Sequence, residues 1–240
     1  MNFANPSALD RKVCYFLFGQ TGLSELPSSG PFLPLAFEIM IKLHGHELSG
    51  NSAKVRLLLG LLDIPYEWVR VDLMAGEHKS PAFLALNPFG QVPVLEEDGA
   101  TLADAQAILF YLAACQGDGR WFPTDPLEQA RVVRWLSTAA GEVRQGPEAA
   151  RLHHLFGVKA IPIERATEKA AFILEQLERH LADRPWLELG RPTIADIAVF
   201  PYVALAGDGG IDLAPYPNVR AWIGRIQALP GYGPMAGLEA

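Results

Sequence analysis

Along this chain the spacing of apolar residues changes period several times, and each change marks an element. Ile41 and Leu43 alternate with Lys42 and His44, the pattern of a strand with one buried face. Val55, Leu58, Leu59 and Leu62 then recur at helical spacing, and Asp63-Ile64-Pro65 ends that helix. Tyr66 to Val71 is rich in β-branched and aromatic residues and predicts a second strand. Strand, helix and strand over so few residues form a βαβ unit with a right-handed parallel crossover. Val92 to Leu102 predicts a hairpin of two antiparallel strands turning at Asp98-Gly99. Asp104 is placed to cap a further helix whose inner face is Ala105, Ile108, Leu109 and Leu112.

Beyond this point only the helical period continues. Gly117 to Asp125 has the composition of a linker, and Asp125-Pro126 reads as a cap followed by proline in the first helical turn. Ala166, Ala170, Ile173, Leu174, Leu177 and Leu181 make one long apolar stripe, with Glu164, Arg165, Glu168, Glu175 and Arg179 outside it. Such a stripe is core. Thr193-Ile194-Ala195-Asp196 reads as a threonine cap whose partner three residues on is Asp instead of Glu or Gln. The helix it opens is almost wholly apolar and is expected at the buried centre of a bundle. Val219, Trp222, Ile223 and Ile226 predict a last amphipathic helix, stopped by Pro230-Gly231.

Composition narrows the class. The 240 residues suffice for one large domain or two small ones, and half are hydrophobic with a fifth charged, as in ordinary globular proteins. A formal net charge of −7 with no Lys/Arg cluster argues against a nucleic-acid partner. The two cysteines, Cys14 and Cys115, make neither a disulfide framework nor a Cys-x-x-Cys redox pair, and they predict a reducing compartment. His153-His154 and His44-x-His46 are the only metal-like spacings; with no third ligand at a recognisable distance, no metal is expected.

Two local features carry chemistry. Ser49 and Ser52 occupy the turn where the first strand feeds the first helix, a helix N-terminus with unpaired N–H groups and partial positive charge. Either serine also fits a plain capping role, with Ser52 the favoured cap. Pro93 sits inside a predicted strand and has no N–H for the ladder. It either opens an edge strand, with a cis bond turning the Val92 N–H and C=O toward a cleft, or simply makes an awkward hairpin. In the first case an extended peptide would pair with Val92 as a short piece of β-ladder.

The string Asn87-Pro88-Phe89-Gly90-Gln91-Val92-Pro93-Val94-Leu95-Glu96-Glu97-Asp98-Gly99, with Gly-Glu-His-Lys-Ser-Pro before it and Leu-Ala-Asp-Ala-Gln-Ala-Ile after it, resembles the glutathione-binding half of soluble glutathione transferases. The likeness runs from about Met40 to the C-terminus and is strongest to bacterial and phi- or theta-like members that use serine. It implies a thioredoxin-like βαβ-ββα domain over residues 40–116, a linker over 117–126 and an all-helical domain over 127–240. It implies Ser49 as the donor to the glutathione sulfur, and Ser52, Gln91, the Val92 backbone and Pro93 around the peptide. His78 and Lys79 would hold the glycine carboxylate, and Asp104 the γ-glutamyl ammonium. The residue after that acid is usually serine in the family; Ala105 stands here instead, one hydroxyl contact fewer. An apolar pocket for the electrophile, between the domains, is expected from Leu48, Phe156 and Tyr202. The resemblance further implies a cytoplasmic homodimer without membrane or nucleic-acid partners, conjugating glutathione to a small electrophile in detoxification. Isomerisation, peroxide reduction or dehalogenation at the same site, or ligand binding without catalysis, are the alternatives. Residues 1–39 lack a sustained apolar period and do not fit the pattern. They are expected to be poorly ordered, with Met40 as an alternative start and the short run Val13 to Phe18 as a weak leader-like feature.

Overall fold

A computed structural model describes residues 41–116, 118–160 and 162–237. The expected N-terminal extension, its Val13 to Phe18 run and the start at Met40 lie outside the described residues.

The first half is the α/β unit that the apolar periods predict. Strand β1 (Ile41–Gly45) leads to α1 (Gly50–Leu61), β2 (Tyr66–Arg70), a short 3-10 turn (Glu77–Lys79) and α2 (Pro81–Leu86). Then follow β3 (Val94–Glu97), β4 (Ala100–Ala103) and α3 (Ala105–Gln116). The sheet order is β2-β1-β3-β4, with β1 parallel to β2 and the other two pairs antiparallel. Ile41 and Leu43 on β1 are buried against Leu58 and Leu59 of α1 and Ile108 and Leu109 of α3, so the two helices cover one sheet face. Asp63 at φ 53 takes the left-handed turn that ends α1. Pairing between β1 and β3 stops at His44 opposite Val94, because Pro93 has no N–H to extend it. The hairpin strand therefore begins two residues later than Val92, where the apolar run starts.

The second half is helical. Elements α4 (Pro126–Thr138), a wider π-type segment (Ala139–Glu148), α5 (Ala149–Leu155), α6 (Ile163–His180), α7 (Ile194–Ala204) and α8 (Pro217–Gln227) follow in order. Asp125 caps α4 by accepting from the Leu127 and Glu128 N–H groups, with Pro126 in the first turn as expected. The α7 helix is buried from Ile194 to Val203 and is the centre of the bundle. Its cap is a closed box: the Thr193 side chain accepts from Ala195 N, and Asp196 accepts from Thr193 N at 3.0 Å. Asp196 also takes Leu187 N at 3.0 Å and Trp222 Nε1 at 2.9 Å, tying the α7 start to the α6–α7 connection and to α8.

One apolar core runs through both halves, from Ile41 and Leu58 to Phe200 and Trp222. The two halves meet closely at Gly50, where an added Cβ would lie 2.7 Å from the Tyr202 ring. Only glycine allows α1 to start flush against α7.

Candidate active site

The cleft between the halves has a volume of about 330 Å³. Its α/β wall is built from Asn51 on α1, Gln91, Val92 and Pro93 before β3, and Ala103, Asp104, Ala105 and Gln106 at the start of α3. The turn residues Asn87 and Phe89 close one end, and Ala139, Ala140, Arg144 and Glu148 of the π-type segment form the opposite wall.

The peptide-facing edge follows from the local sequence. Asn87 accepts from Phe89 N through Oδ1 and donates to the Gln91 carbonyl at 2.8 Å, which folds Asn-Pro-Phe-Gly into a compact bend. The Val92–Pro93 bond is cis, in line with the first reading of Pro93. Among the described residues the Val92 N–H and C=O have no hydrogen-bond partner. They are a free donor and acceptor on the cleft wall, the arrangement an extended peptide needs. Asp104 has φ 77, a left-handed conformation that costs a non-glycine residue about 1–3 kcal/mol, and it accepts from Gln106 N and Ala107 N. A carboxylate is thus fixed at the head of α3, beside the buried Ala105.

The serines divide differently from the capping expectation. Ser49, in extended conformation, is the cap of α1 and accepts from Ser52 N at 3.2 Å. Ser52 is fully buried and its Oγ accepts from His46 N at 3.4 Å, so it lies behind the cap and outside the cleft lining. Two serines three residues apart both suit a helix start in sequence; only the packing of Gly45 and Trp68 over Ser52 separates them. Ser49 is partly exposed, two residues before Asn51, which is the residue of this turn that lines the cleft. Sequence reasoning passed over Asn51. Its signal was Lys54 three residues on, at helical spacing for a side-chain pair.

Lys79 and His78 lie under the turn, outside the cleft lining. Lys79 Nζ donates to the carbonyls of Phe89 at 3.2 Å and Gly90 at 2.9 Å, and so braces the bend that presents Gln91 and Val92. His78 keeps a buried Nδ1 without a partner, and burial with the Lys79 charge lowers its pKa below the usual histidine range. None of Leu48, Phe156 and Tyr202, expected to form the apolar pocket, is among the residues that line this cleft: Tyr202 packs on Gly50, the Leu48 carbonyl accepts from buried Arg151 at 2.6 Å, and Phe156 is the C-cap of α5. The π-type segment takes the place of these residues and brings small and charged side chains to the wall.

On that wall Arg144 is exposed and Glu148 is buried. Glu148 is buried, which pushes its carboxyl up, while the Lys54 and Arg144 charges and a hydrogen bond from Tyr202 oppose the rise. Lys54, fully buried, is pushed down to about 8 by desolvation, with Glu148 and Asp104 acting against it. Among the described residues no group of three metal-ligating side chains is assembled, and no helix is long and apolar enough to cross a membrane.

A thioredoxin-like unit with a free backbone edge at a cis-proline, joined to a helical bundle across a cleft, defines the class of glutathione-using transferases. Residues 48–115 match the family model of the glutathione S-transferase N-terminal domain, and residues 162–225 that of the C-terminal domain. The chain is 32% identical to the disulfide-bond oxidoreductase YfcG of Escherichia coli K12, over 76% of its own length and 88% of that protein's. It is 32% identical to glutathione S-transferase F13 of Arabidopsis thaliana, over 80% and 93%. The crystal structure of a possible glutathione S-transferase from Rhodopseudomonas palustris superposes with a TM-score of 0.76 at 35% identity, covering 81% of this chain and 97% of that one. The chain belongs to the glutathione S-transferase family.

Proposed function

We propose that the protein is a glutathione transferase that binds glutathione along Val92, lowers the pKa of its thiol and adds the sulfur to a small electrophile. The observation that carries this reading is the unpaired Val92 N–H and C=O beside the Asp104 carboxylate and the start of α1. The cysteinyl backbone pairs with Val92, and the γ-glutamyl ammonium faces Asp104. Gln91 lies alongside the peptide. At the other end, the N–H of Lys79 that its two carbonyl bonds leave over is the donor for the glycine carboxylate.

The chemical step needs a thiolate. A free thiol titrates near ~8.5, so most of it is protonated at neutral pH, and each unit of depression corresponds to ~1.4 kcal/mol. Ser49 is suited to supply this. Its oxygen is fixed by Ser52 N, which leaves its O–H hydrogen free to donate toward sulfur, and the α1 N-terminus adds partial positive charge. The Asn51 amide, on the cleft surface, is a second donor. The thiol proton goes to solvent, the thiolate attacks the electrophilic carbon, and the leaving group departs or an enolate is protonated.

The charged helical wall favours one second reading. Arg144 and Glu148 suit a polar co-substrate better than a purely apolar one, and the resemblance to a disulfide-bond oxidoreductase brings in disulfides. There one glutathione thiolate would attack the disulfide and displace one thiolate, leaving a mixed disulfide, and a second glutathione thiolate would attack the glutathione sulfur of that mixed disulfide, releasing the other thiolate and oxidised glutathione. The reading extends to a cytoplasmic detoxifying homodimer. A dimer is supported by Phe89 at 78% exposure and by an apolar groove between α3 and α4 bordered by Phe110, Phe122 and Val133. Retention on glutathione resin, followed by turnover of an aromatic halide and of a low-molecular-weight disulfide, tests the reading. The absence of both retention and turnover would refute it.

A further inference from the structure

The cleft residue Asn51 is held by a chain of buried polar groups that crosses between the two halves. Lys54 Nζ donates to Asn51 Oδ1 at 2.9 Å. An ammonium has donors only, so this bond fixes which way the amide points: the oxygen turns inward to Lys54 and the NH₂ is left for the cleft. Lys54 is itself completely buried, 5.2 Å from the centroid of the Tyr202 ring and attracted by the Glu148 carboxylate. The Tyr202 ring that covers Lys54 also packs on Gly50 at the start of α1, so the lysine is enclosed where the two halves meet.

We propose that Lys54 is the positioning residue of the thiol-activating site: buried under the Tyr202 ring of the helical half, it locks the Asn51 amide so that its NH₂ meets the glutathione sulfur. The inference rests on the reading above that the cleft binds and activates glutathione. A buried ammonium is a costly way to fill core, and it is kept at the one place where the orientation of a cleft amide depends on a pure donor. Asn51 is a donor to the thiolate in this scheme, and Lys54 acts through it without touching the ligand. The remaining charged groups acting on Lys54 are Asp104, across the cleft floor, and Arg144 on the helical wall, and they differ in sign.

The test is the pKa of glutathione bound to the protein, read from the ultraviolet absorbance of the thiolate as pH is raised, with the dissociation constant measured in parallel. Lys54→Met should raise the bound thiol pKa by about one unit, a tenfold loss of thiolate at neutral pH, while affinity changes less than about threefold. Asn51→Asp, nearly the same shape and able to keep the Lys54 bond, presents oxygen in place of NH₂ and should raise the thiol pKa at least as far. Combining Lys54→Met with Asn51→Ala should add nothing beyond Asn51→Ala alone, since the two act as one unit. A merely structural lysine would lower the melting temperature and leave the bound thiol pKa where it was; that result, or an Asn51→Asp protein with an unchanged thiol pKa, overturns the inference. Should Lys54→Met fail to fold, Asn51→Asp decides alone. Wild-type protein that binds no glutathione would overturn the underlying reading instead.

Discussion

Asp104 and Asp196 stand at equivalent points of the two halves, each at the N-terminus of a helix, and their surroundings differ in every other respect. Asp104 is exposed, twisted to φ 77, bonded to two backbone N–H groups and open to the cleft. Asp196 is fully buried and takes Thr193 N, Thr193 Oγ1, Leu187 N and Trp222 Nε1. A carboxylate at a helix start thus opens on the cleft in one half and ties the bundle together in the other. The difference lies in what is left over: polar capacity that the fold does not use marks the ligand site, as at Val92 and Asp104, and capacity used up marks structure.

The largest effect is expected where the capacity is used up. Asp196→Ala would leave the Leu187, Thr193 and Trp222 donors unsatisfied in the core, at about 1–3 kcal/mol each, so a loss of at least about 3 kcal/mol is predicted. That corresponds to a drop of at least about 6–12 °C in melting temperature for a chain of this size. Burial lifts the Asp196 carboxyl from 3.8 to about 6. The folded state then holds an extra proton between these values, so this contribution is fully present below about pH 4 and is lost as pH rises through 6. The margin of wild type over Asp196→Ala should accordingly widen as pH falls from 6 to 4 in thermal denaturation.

On the ligand side the order reverses, with activity more sensitive than stability. Ser49→Ala should lower turnover by about ten- to a thousandfold through loss of a donor to developing charge, against about 1 kcal/mol of stability for the lost cap. Steady-state kinetics beside a melting curve separates the two; a stability loss with unchanged turnover would make Ser49 a cap and nothing more. Next in size is a gain. If Ala105 borders the γ-glutamyl carboxylate, Ala105→Ser adds a hydrogen bond to a charged group, about 1.5–3 kcal/mol at best and less where water already fills the gap. Glutathione affinity by isothermal titration should rise by roughly threefold to a hundredfold. Unchanged binding by a folded variant would show that the Asp104-Ala105 corner does not meet the peptide. The smallest effect on glutathione belongs to the helical wall: Arg144→Ala should keep its affinity within about threefold and alter KM for the second substrate. A large loss of glutathione affinity would abolish the distinction between the walls.

Much of the ligand wall was legible in the sequence because it is local. A proline inside an apolar run, an Asn-Pro-Phe-Gly bend and an acid before an apolar helix each carry their own backbone consequences, and Pro93, Asn87 and Asp104 stand where those consequences put them. The Thr193 box was legible for the same reason. The helical wall was not. It is set by a π-type segment that encloses Pro147, where the 3.6-residue period that guides the rest of the bundle no longer applies. Gly146 there packs so tightly that an added Cβ would lie 2.7 Å from Ala170 N. The pocket expected from Leu48, Phe156 and Tyr202 assumed that apolar residues near the junction face the cleft, whereas the tight contact at Gly50 turns Tyr202 into core. The Asn51–Lys54 pair is local, but the Tyr202 ring that buries Lys54 is far away in sequence, and without it the pair reads as an exposed helix surface.

On the proposed function, one wall of the cleft, with Val92 at its middle and the start of α1 at its end, both holds glutathione and activates it. A crystal structure of the complex with glutathione is the decisive test. The cysteinyl N–H and C=O should pair with Val92, and the sulfur should lie within about 3.5 Å of Ser49 Oγ, Asn51 Nδ2 or both. A peptide bound elsewhere, or a sulfur pointing away from the α1 N-terminus, would contradict it.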